Sequence, residues 1–290
     1  MRDIPGRRIP VPGRAVYVEE SGEGPGQVVF EAGSGCGRTC WDPLLPLLAG
    51  EARLVTYDRA GRTRSGPAGR QLGLDDLAAD LVSMTEAVVP GEFVLVAHSM
   101  GGLVARAAAE RLGPRLRGLL LVDPTPETSP VYDTWDRTTA KIDRALAVTQ
   151  ALSRFRPLAR LFGGNLRRLY ADRTYRTMLA EDFTPTGIAQ TRAEMRIVAE
   201  GIRQLRARPP RLPECPTIVL SAGRAAKGRE RQNAAIREHQ RRYAQTLPAG
   251  RHETVDSAHF VHAEQPRLVA ARIRGLLPAP GHPAGNPAAR

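Results

Sequence analysis

A single serine in the segment "LVAHSMGGLVAR" (residues 95–106) stands where a nucleophile could be held. Ser99 follows a short apolar run and precedes Gly101 and Gly102, which open a helical pattern. A sharp turn between a buried strand and a helix projects a serine hydroxyl from the edge of a sheet, where it can attack a carbonyl carbon. The alternative is a serine that merely caps an ordinary helix. The strand before Ser99 and the helix after it favour the nucleophile.

A serine nucleophile needs a general base, and histidine is the usual one at neutral pH. His259 and His262 follow the last predicted strand in "VDSAHFVHAEQP", at the sheet edge that also carries Ser99. We favour His259 because it comes first after that strand. The other histidines are His98 beside the serine, His239 within a helix, His252 just before the last strand and His282 in the tail.

The histidine in turn needs a carboxylate that fixes its tautomer. No acid follows the strand that ends at Gly223, whereas "LLLVDPTPE" places Asp123 at the carboxyl end of the preceding strand. Asp123 is therefore the predicted acid, unless it only caps the turn before a proline. Asp133 and Asp136 are weaker alternatives, and Asp256 lies too close to His259 in the chain to orient it easily.

A tetrahedral intermediate also needs backbone N–H donors for its oxyanion. The N–H of Met100, directly after the nucleophile, is one candidate by position. The loop after the strand "VVFEAG" supplies the second, for which we select the Ser34 N–H. Gly33 and His98 are predicted to border the substrate.

Strands and helices alternate along most of the 290 residues, which predicts a mostly parallel sheet covered by helices on both faces. The last strand is expected at 253–258, followed by a helix over 264–277. Between the strands at 116–124 and 216–223, only helical patterns occur, and a gap this long indicates an inserted helical cap. We assign 1–125 and 213–278 to the core, 126–212 to the cap and 279–290 to a disordered tail.

The composition argues against several other classes of protein. Three cysteines do not form a disulfide framework. Cys36 and Cys40 have no further Cys or His partners at metal-ligand spacing, so both are predicted to be buried thiols in a reducing cytoplasm. Neither a membrane-spanning run nor a secretory signal is visible. The net charge of +12 is carried almost entirely by arginine, but few aromatics accompany it, so we do not expect nucleic-acid binding.

Taken together, five motifs resemble the α/β-hydrolase superfamily, in particular its cap-bearing, esterase-like branch. The motifs are "EAGSGCG" (31–37), "YDRAGRTRSG" (57–66), "AHSMGG" (97–102), "VDP" (122–124) and "SAHFVHAEQP" (257–266). The resemblance covers roughly residues 8–125 and 214–277. It implies an eight-stranded sheet, acyl-enzyme chemistry and no cofactor or metal.

The sequence departs from this family at several positions. Small residues two before and two after the nucleophile let the strand and the helix approach closely, and Ala97 and Gly101 stand there, with Ala97 in place of the usual glycine. Ala32 replaces the histidine of the common oxyanion motif. Thr63 and Arg64 stand where many members have glycine and an aromatic residue, and the acid is displaced to Asp123, as in some members. We interpret Asp58 as a structural residue that braces its turn.

A serine at the nucleophile position argues against dehalogenases and epoxide hydrolases, which use aspartate there. The expected function is a serine hydrolase that cleaves a carboxylic ester or a related acyl compound. A lyase, acyltransferase or perhydrolase on the same triad, or a catalytically silent small-molecule receptor, remain alternatives.

The insertion has a pronounced positive charge. Residues 134–212 hold 15 arginines and one lysine against seven acids, a surplus of nine. In "TQALSRFRPLARLF" (149–162), five apolar side chains could share one face, with three arginines on another. The simpler interpretation is a helix that packs on the core with solvated arginines. The alternative is a lid that contacts an anionic surface or guides acidic substrates.

Overall fold

The computed structural model of the chain describes residues 5–155 and 163–278, apart from the side chain of Asp136. Its centre is one eight-stranded sheet in the order β1-β2-β4-β3-β5-β6-β7-β8. The strands are β1 Gly6–Val11, β2 Arg14–Ser21, β3 Gly26–Glu31, β4 Ala52–Asp58, β5 Phe93–His98, β6 Leu116–Val122, β7 Thr217–Ala222 and β8 Gly250–Val255. β2 runs antiparallel to β1 and β4, and all other pairs are parallel. The predicted mostly parallel, eight-stranded sheet is confirmed.

Helices cover both faces of the sheet. They are α1 Leu45–Leu48, α2 Leu74–Val88, α3 Gly101–Leu112, α4 Trp135–Leu152, α5 Asp172–Glu181, α6 Pro185–Ala207, α7 Glu230–Gln245, α8 Val261–Glu264 and α9 Pro266–Arg274. The central strands β3 and β5 are buried along their whole length, in agreement with their mainly apolar sequences in a sheet covered on both sides. Two hydrophobic clusters, one on each face, form the core.

The carboxyl-terminal elements differ in detail from their predicted bounds. β8 begins at Gly250, three residues early, and therefore contains His252. This strand lies at the sheet edge and is mostly half-exposed, so it lacks the apolar run by which a buried strand is identified. The helix predicted over 264–277 corresponds to α9, which begins at Pro266 and ends at Arg274, and the separate short helix α8 precedes it.

The described part of the insertion between β6 and β7 is helical and packs on the core. Ile197, Ile202 and Leu205 of α6 join one hydrophobic cluster of the core, whereas Tyr170 and Met178 join the other. At the end of the preceding helix, Leu152 and Phe155 are exposed, with 36% and 63% of their surface accessible, so neither packs on the core. The remaining residues of the predicted apolar and basic faces (Arg156, Leu158, Arg160, Leu161 and Phe162), Pro157 and the tail 279–290 lie outside the described residues.

Candidate active site

The predicted turn at the serine is present between β5 and α3. Ser99 has a φ of +54°, in the left-handed region that residues other than glycine rarely adopt. Its N–H donates to the Val122 carbonyl of the neighbouring strand at 3.1 Å, and its carbonyl accepts from the Gly102 N–H at 3.0 Å. These bonds hold the strained turn in place, so the hydroxyl is presented at the carboxyl edge of the sheet.

Glycine at the predicted close-contact position lets α3 approach the sheet. A Cβ added to Gly101 would lie 2.6 Å from the carbonyl oxygens of both Glu31 and Ala32, where β3 ends. Real Cβ atoms do not approach oxygen this closely, so only glycine fits without backbone movement. The turn at Ser99 is thus packed directly against the loop that follows β3.

Three side chains from separate loops form one hydrogen-bonded chain. His259 Nε2 lies 3.1 Å from Ser99 Oγ, and His259 Nδ1 lies 2.6 Å from Asp123 Oδ2. Because the carboxylate faces Nδ1, that nitrogen carries the proton and Nε2 faces the serine as an acceptor. The structure therefore brings together the three residues that the sequence predicted.

The Asp123 carboxylate is fixed by donors on its other oxygen. Oδ1 accepts from the Ala222 N–H at 3.1 Å and from Gln240 Nε2 at 3.0 Å, which leaves Oδ2 for the histidine. Gln240 is itself 1% exposed and also donates to the Pro124 carbonyl at 2.7 Å. The sequence offers no signal for Gln240, since a glutamine in a helix far along the chain has no motif around it.

The described alternative acids and bases pair with other groups, whereas the Asp136 side chain and His282 lie outside the described residues. Asp256 is largely exposed and pairs with Arg224, while Asp133 pairs with Arg206. His252 contacts Ser221 Oγ at 2.8 Å, and His239 contacts Thr128 at 3.0 Å. Within the described part of the chain, only His259 of the histidines forms a hydrogen bond with Ser99.

Behind the triad lies a group of aromatic and imidazole rings. His98 and His262 have ring centroids 4.6 Å apart, and His98 is also 4.6 Å from His259. His98 Nε2 donates to the His259 carbonyl at 3.0 Å, so it anchors the loop that carries the proposed base. Burial lowers the pKa of His98 well below its usual value and that of His262 to about 3, so both rings stay neutral.

This burial contradicts the prediction that His98 borders the substrate. The ring is 1% exposed because it is packed beneath Gly33, Phe260 and His262. Gly33 lies between His98 and the nucleophile, and a Cβ there would be 2.6 Å from His98 Nδ1 and 3.3 Å from Ser99 Cβ. The close approach of this loop to Ser99 depends on the missing side chain.

The two amides selected for the oxyanion are available as donors. Among residues 5–155 and 163–278, no acceptor is found for the N–H of Ser34 or Met100. Helix α6 of the insertion borders the same loop, since Met195 Sδ lies 3.5 Å from Ser34 Oγ. A bound acyl compound at Ser99 would therefore lie close to this helix.

A buried ionic cluster joins the loop after β3, the loop after β4 and the insertion between β6 and β7. Arg59 and Arg62 share Glu194 of α6, and Arg62 also binds Asp182 at 2.7 Å. Burial alone would raise the pKa of Glu194, but the two guanidinium groups outweigh it and lower this pKa to about 2. For Asp182, the effect of burial exceeds the opposing effect of Arg62 and raises the pKa of this carboxyl group to about 7.

Asp58 belongs to a second ionic group next to this cluster. It accepts from the backbone N–H of Arg38 at 2.8 Å, from Arg38 Nη1 at 2.8 Å and from Thr63 Oγ1 at 3.0 Å. These bonds agree with a bracing role for Asp58. No sequence motif identifies Arg59 or Glu194 as functional; the charged run "DRAGR" (58–62), directly after a buried strand, is the one available signal.

Comparison with known proteins defines the class. Residues 28–272 match the Alpha/beta hydrolase family, and the chain belongs to that family. No described helix is long and apolar enough to cross a membrane.

Individual relatives share only part of the sequence. The "Uncharacterized protein YqjL" of Bacillus subtilis is 33% identical over 33% of this chain and 39% of its own length. The "Pyrrolizixenacetamide deacetylase" of Xenorhabdus hominickii is 32% identical over 35% of this chain and 38% of its own length. The chain thus aligns with about two fifths of each relative. A solved thermophilic esterase from Thermogutta terrifontis has the same fold, with a TM-score of 0.65 and 23% identity over 93% of this chain and 97% of its own.

Proposed function

We propose that the protein is a serine hydrolase that cleaves a carboxylic ester through an acyl-enzyme. The observation that carries this proposal is the chain Ser99 Oγ, His259 Nε2, His259 Nδ1 and Asp123 Oδ2, with separations of 3.1 and 2.6 Å between its hydrogen-bonded atoms. An activated serine oriented in this way is the arrangement used for acyl transfer.

In the first half-reaction, Ser99 Oγ attacks the ester carbonyl while His259 Nε2 takes the hydroxyl proton. The carbonyl oxygen becomes an oxyanion, which the N–H groups of Met100 and Ser34 bind. The intermediate collapses, His259 returns its proton to the leaving alkoxide, and an alcohol departs. Asp123 remains ionised and stabilises the imidazolium that forms between these steps.

In the second half-reaction, water replaces the alcohol. His259 Nε2 removes a proton from the water as its oxygen attacks the acyl carbon. The same two N–H groups bind the second oxyanion. The proton then passes from His259 to Ser99 Oγ, which restores the free serine and releases a carboxylic acid.

Fluorophosphonate labelling with intact-mass detection tests this proposal. We expect one adduct on the folded protein, no adduct on Ser99→Ala and slow labelling of Asp123→Asn. A folded wild-type protein that forms no adduct would overturn the activated serine and favour a silent, ligand-binding use of the fold. Product analysis after an ester panel would separate hydrolysis from lyase, acyltransferase or perhydrolase outcomes.

Amide cleavage by the same triad is the second candidate. It is favoured by the partial similarity to a protein named as a deacetylase. An aryl acetate and the matching aryl acetamide compared at equal concentration distinguish the two. Acetamide turnover within tenfold of acetate turnover would move the proposal from esters to amides, since the amide is the intrinsically slower substrate.

The cap is proposed to select the substrate, and its basic surplus is a proposed contact for acidic esters or an anionic surface. Some of this charge is balanced locally, because Arg192 binds Asp143 at 2.8 Å and Arg206 binds Asp133 at 2.9 Å. The exposed Arg137, Arg154 and Arg167 are suited to charge reversal. Changing them to glutamate should raise KM for an anionic ester and leave KM for a neutral ester unchanged; equal effects on both would exclude this role.

We place the activity in a reducing cytoplasm, in agreement with three free cysteines.

A further inference from the structure

The Arg59 guanidinium binds two successive carbonyl groups of the loop that follows β3. Arg59 Nη1 donates to the Ala32 carbonyl and Arg59 Nη2 to the Gly33 carbonyl, each at 2.7 Å. The Gly33 carbonyl and the Ser34 N–H belong to the same planar peptide group, and in a trans peptide they point in opposite directions. A bond that fixes the carbonyl therefore also fixes the direction of the Ser34 N–H.

The same bond affects the strength of that donor. A charge-assisted hydrogen bond to a peptide oxygen draws electron density from the nitrogen, and hydrogen bonds in such chains strengthen one another. A cation at the Gly33 oxygen thus makes the Ser34 N–H a better donor to a developing negative charge. This is the property that an oxyanion site requires.

Arg59 is held by acids from both sides. Its Nη1 lies 2.6 Å from Glu31 Oε1, and its Nη2 lies 2.9 Å from Glu194 Oε1. Arg59 is 3% exposed and both carboxylates are fully buried. Tyr57 donates a further hydrogen bond to Glu31. Buried charges persist only when they are paired in this way, so the guanidinium has little freedom to move.

Glu194 also contacts the loop directly. Its Oε2 accepts from the Gly35 N–H at 2.8 Å, while Oε1 binds Arg59. The Glu194 carboxylate of helix α6 therefore binds both the backbone of Gly35, which follows Ser34, and Arg59, which binds the carbonyl group of Gly33.

We infer that Arg59 is a positioning residue for the oxyanion site: its guanidinium, fixed by Glu31 and Glu194, orients and polarises the Gly33–Ser34 peptide. This inference rests on the proposed hydrolase function for its catalytic consequence. Its structural part, the control of the Ser34 amide by Arg59, is independent of catalysis.

A pair of matched variants tests the catalytic consequence. Arg59→Lys and Arg62→Lys both retain the charge and alter a buried partner of Glu194, but only Arg59 donates to the Gly33 carbonyl. Lysine cannot reproduce the planar fork that reaches several acceptors. For a neutral p-nitrophenyl ester, we expect Arg59→Lys to lower kcat by about 10- to 100-fold, less than the full loss of one oxyanion donor, with KM changed less than about threefold. Arg62→Lys should keep kcat within about threefold.

Equal losses of kcat in the two variants would show that the cluster acts only through general stability. Unchanged kcat in Arg59→Lys would equally overturn the inference. The melting temperatures of both variants show whether their structural damage is comparable.

The second readout is the Ser34 amide resonance in ¹⁵N-labelled, ligand-free protein. We expect the Ser34 nitrogen to move upfield in Arg59→Lys and to stay in place in Arg62→Lys, because only the first loses the bond at the Gly33 oxygen. An unmoved Ser34 resonance would overturn the inference whether or not the protein hydrolyses esters. A shifted resonance in a protein that neither labels nor turns over esters would retain the positioning and reject the proposed function.

If Arg59→Lys does not fold, Glu194→Gln tests the same contact, since it weakens the hold on Arg59 while keeping the size of the side chain. The Ser34 nitrogen should then move upfield as well. A folded Glu194→Gln protein with an unmoved Ser34 nitrogen would overturn the inference.

Discussion

Ser99 and Asp123 occupy equivalent positions on adjacent parallel strands, and both have left-handed backbones. Their φ angles are +54° and +42°, the two positive values among described residues other than glycine. β5 ends at His98 and β6 at Val122, and these two residues are paired in register. Each functional side chain therefore follows its strand by one residue, so two strained turns lie side by side and are joined by the Ser99 N–H bond to Val122.

The strain at Ser99 should be measurable once the hydroxyl is removed. Ser99→Ala and Ser99→Gly both lose the nucleophile, but only glycine relieves the left-handed conformation. We expect Ser99→Gly to unfold with a free energy about 1 kcal/mol higher than Ser99→Ala in urea titrations. Equal stability of the two variants would show that the turn is not strained.

Asp123→Asn should impair catalysis through the tautomer of His259. Ala222 N–H and Gln240 Nε2 both donate to Oδ1, so the asparagine oxygen takes that place and its NH₂ faces His259. The amide then forces the imidazole proton onto Nε2, where it opposes Ser99. We expect kcat to fall by about 10⁴-fold with the fold intact. Asp256→Asn, at an exposed carboxylate, is the control; an Asp123→Asn protein with near-normal kcat would place the acid elsewhere.

Acid should destabilise the protein through its buried histidines. Burial lowers the pKa of His262 from 6.5 to about 3. Between these values, the unfolded chain binds a proton that the folded chain does not. The contribution of neutral His262 to the free energy of unfolding is complete above pH 6.5 and is lost as the pH falls towards 3.

His262→Phe removes this titration while keeping a ring against Trp41, whose centroid lies 4.6 Å from that of His262. The loss of unfolding free energy between pH 7 and pH 4.5 should be smaller in the variant by about 2–3 kcal/mol. His239→Gln, at a half-exposed surface position, serves as the control. Parallel pH profiles for wild type and His262→Phe would refute this account.

The close packing at the nucleophile turn predicts a cost for one methyl group. Gly101→Ala would place Cβ 2.6 Å from two carbonyl oxygens at the end of β3. We expect a loss of about 1–3 kcal/mol of unfolding free energy and a lower rate of fluorophosphonate labelling, because α3 and the oxyanion loop must separate. Gly164→Ala meets no atom within 4 Å and should change neither. A Gly101→Ala protein as stable and as reactive as wild type would contradict the packing argument.

Much of this site follows from local sequence patterns. Ser99 and Asp123 come directly after the ends of β5 and β6, and His259 follows the end of β8 by four residues. Parallel strands bring such positions to one edge, so chain order alone predicts their meeting. Gly101 was predicted from the need for close approach. The strand bounds were also predicted well where both faces are buried, as in β7, expected at 216–223 and observed over Thr217–Ala222, and less well at the edge strand β8.

Other parts depend on contacts that local pattern does not encode. Gln240 and Glu194 come from helices more than 90 residues from the strand ends that they support, and neither lies in a recognisable motif. His98 was expected to border the substrate, although its side chain was expected to point away from Ser99. Side chains alternate across a strand, however, so its ring lies in the packed layer behind the triad.

Two consecutive residues of α6 contact the loop that follows β3. The buried Glu194 carboxylate accepts a hydrogen bond from the Gly35 N–H, and Met195 Sδ lies beside Ser34 Oγ. This arrangement limits how freely the insertion can be exchanged. Grafting the insertion of another family member would replace the Met195 side chain beside Ser34, and it would also remove the anion that binds Arg59. A chimera must therefore carry a carboxylate at the Glu194 position, or its core would lose a buried partner of Arg59 although every core residue was retained.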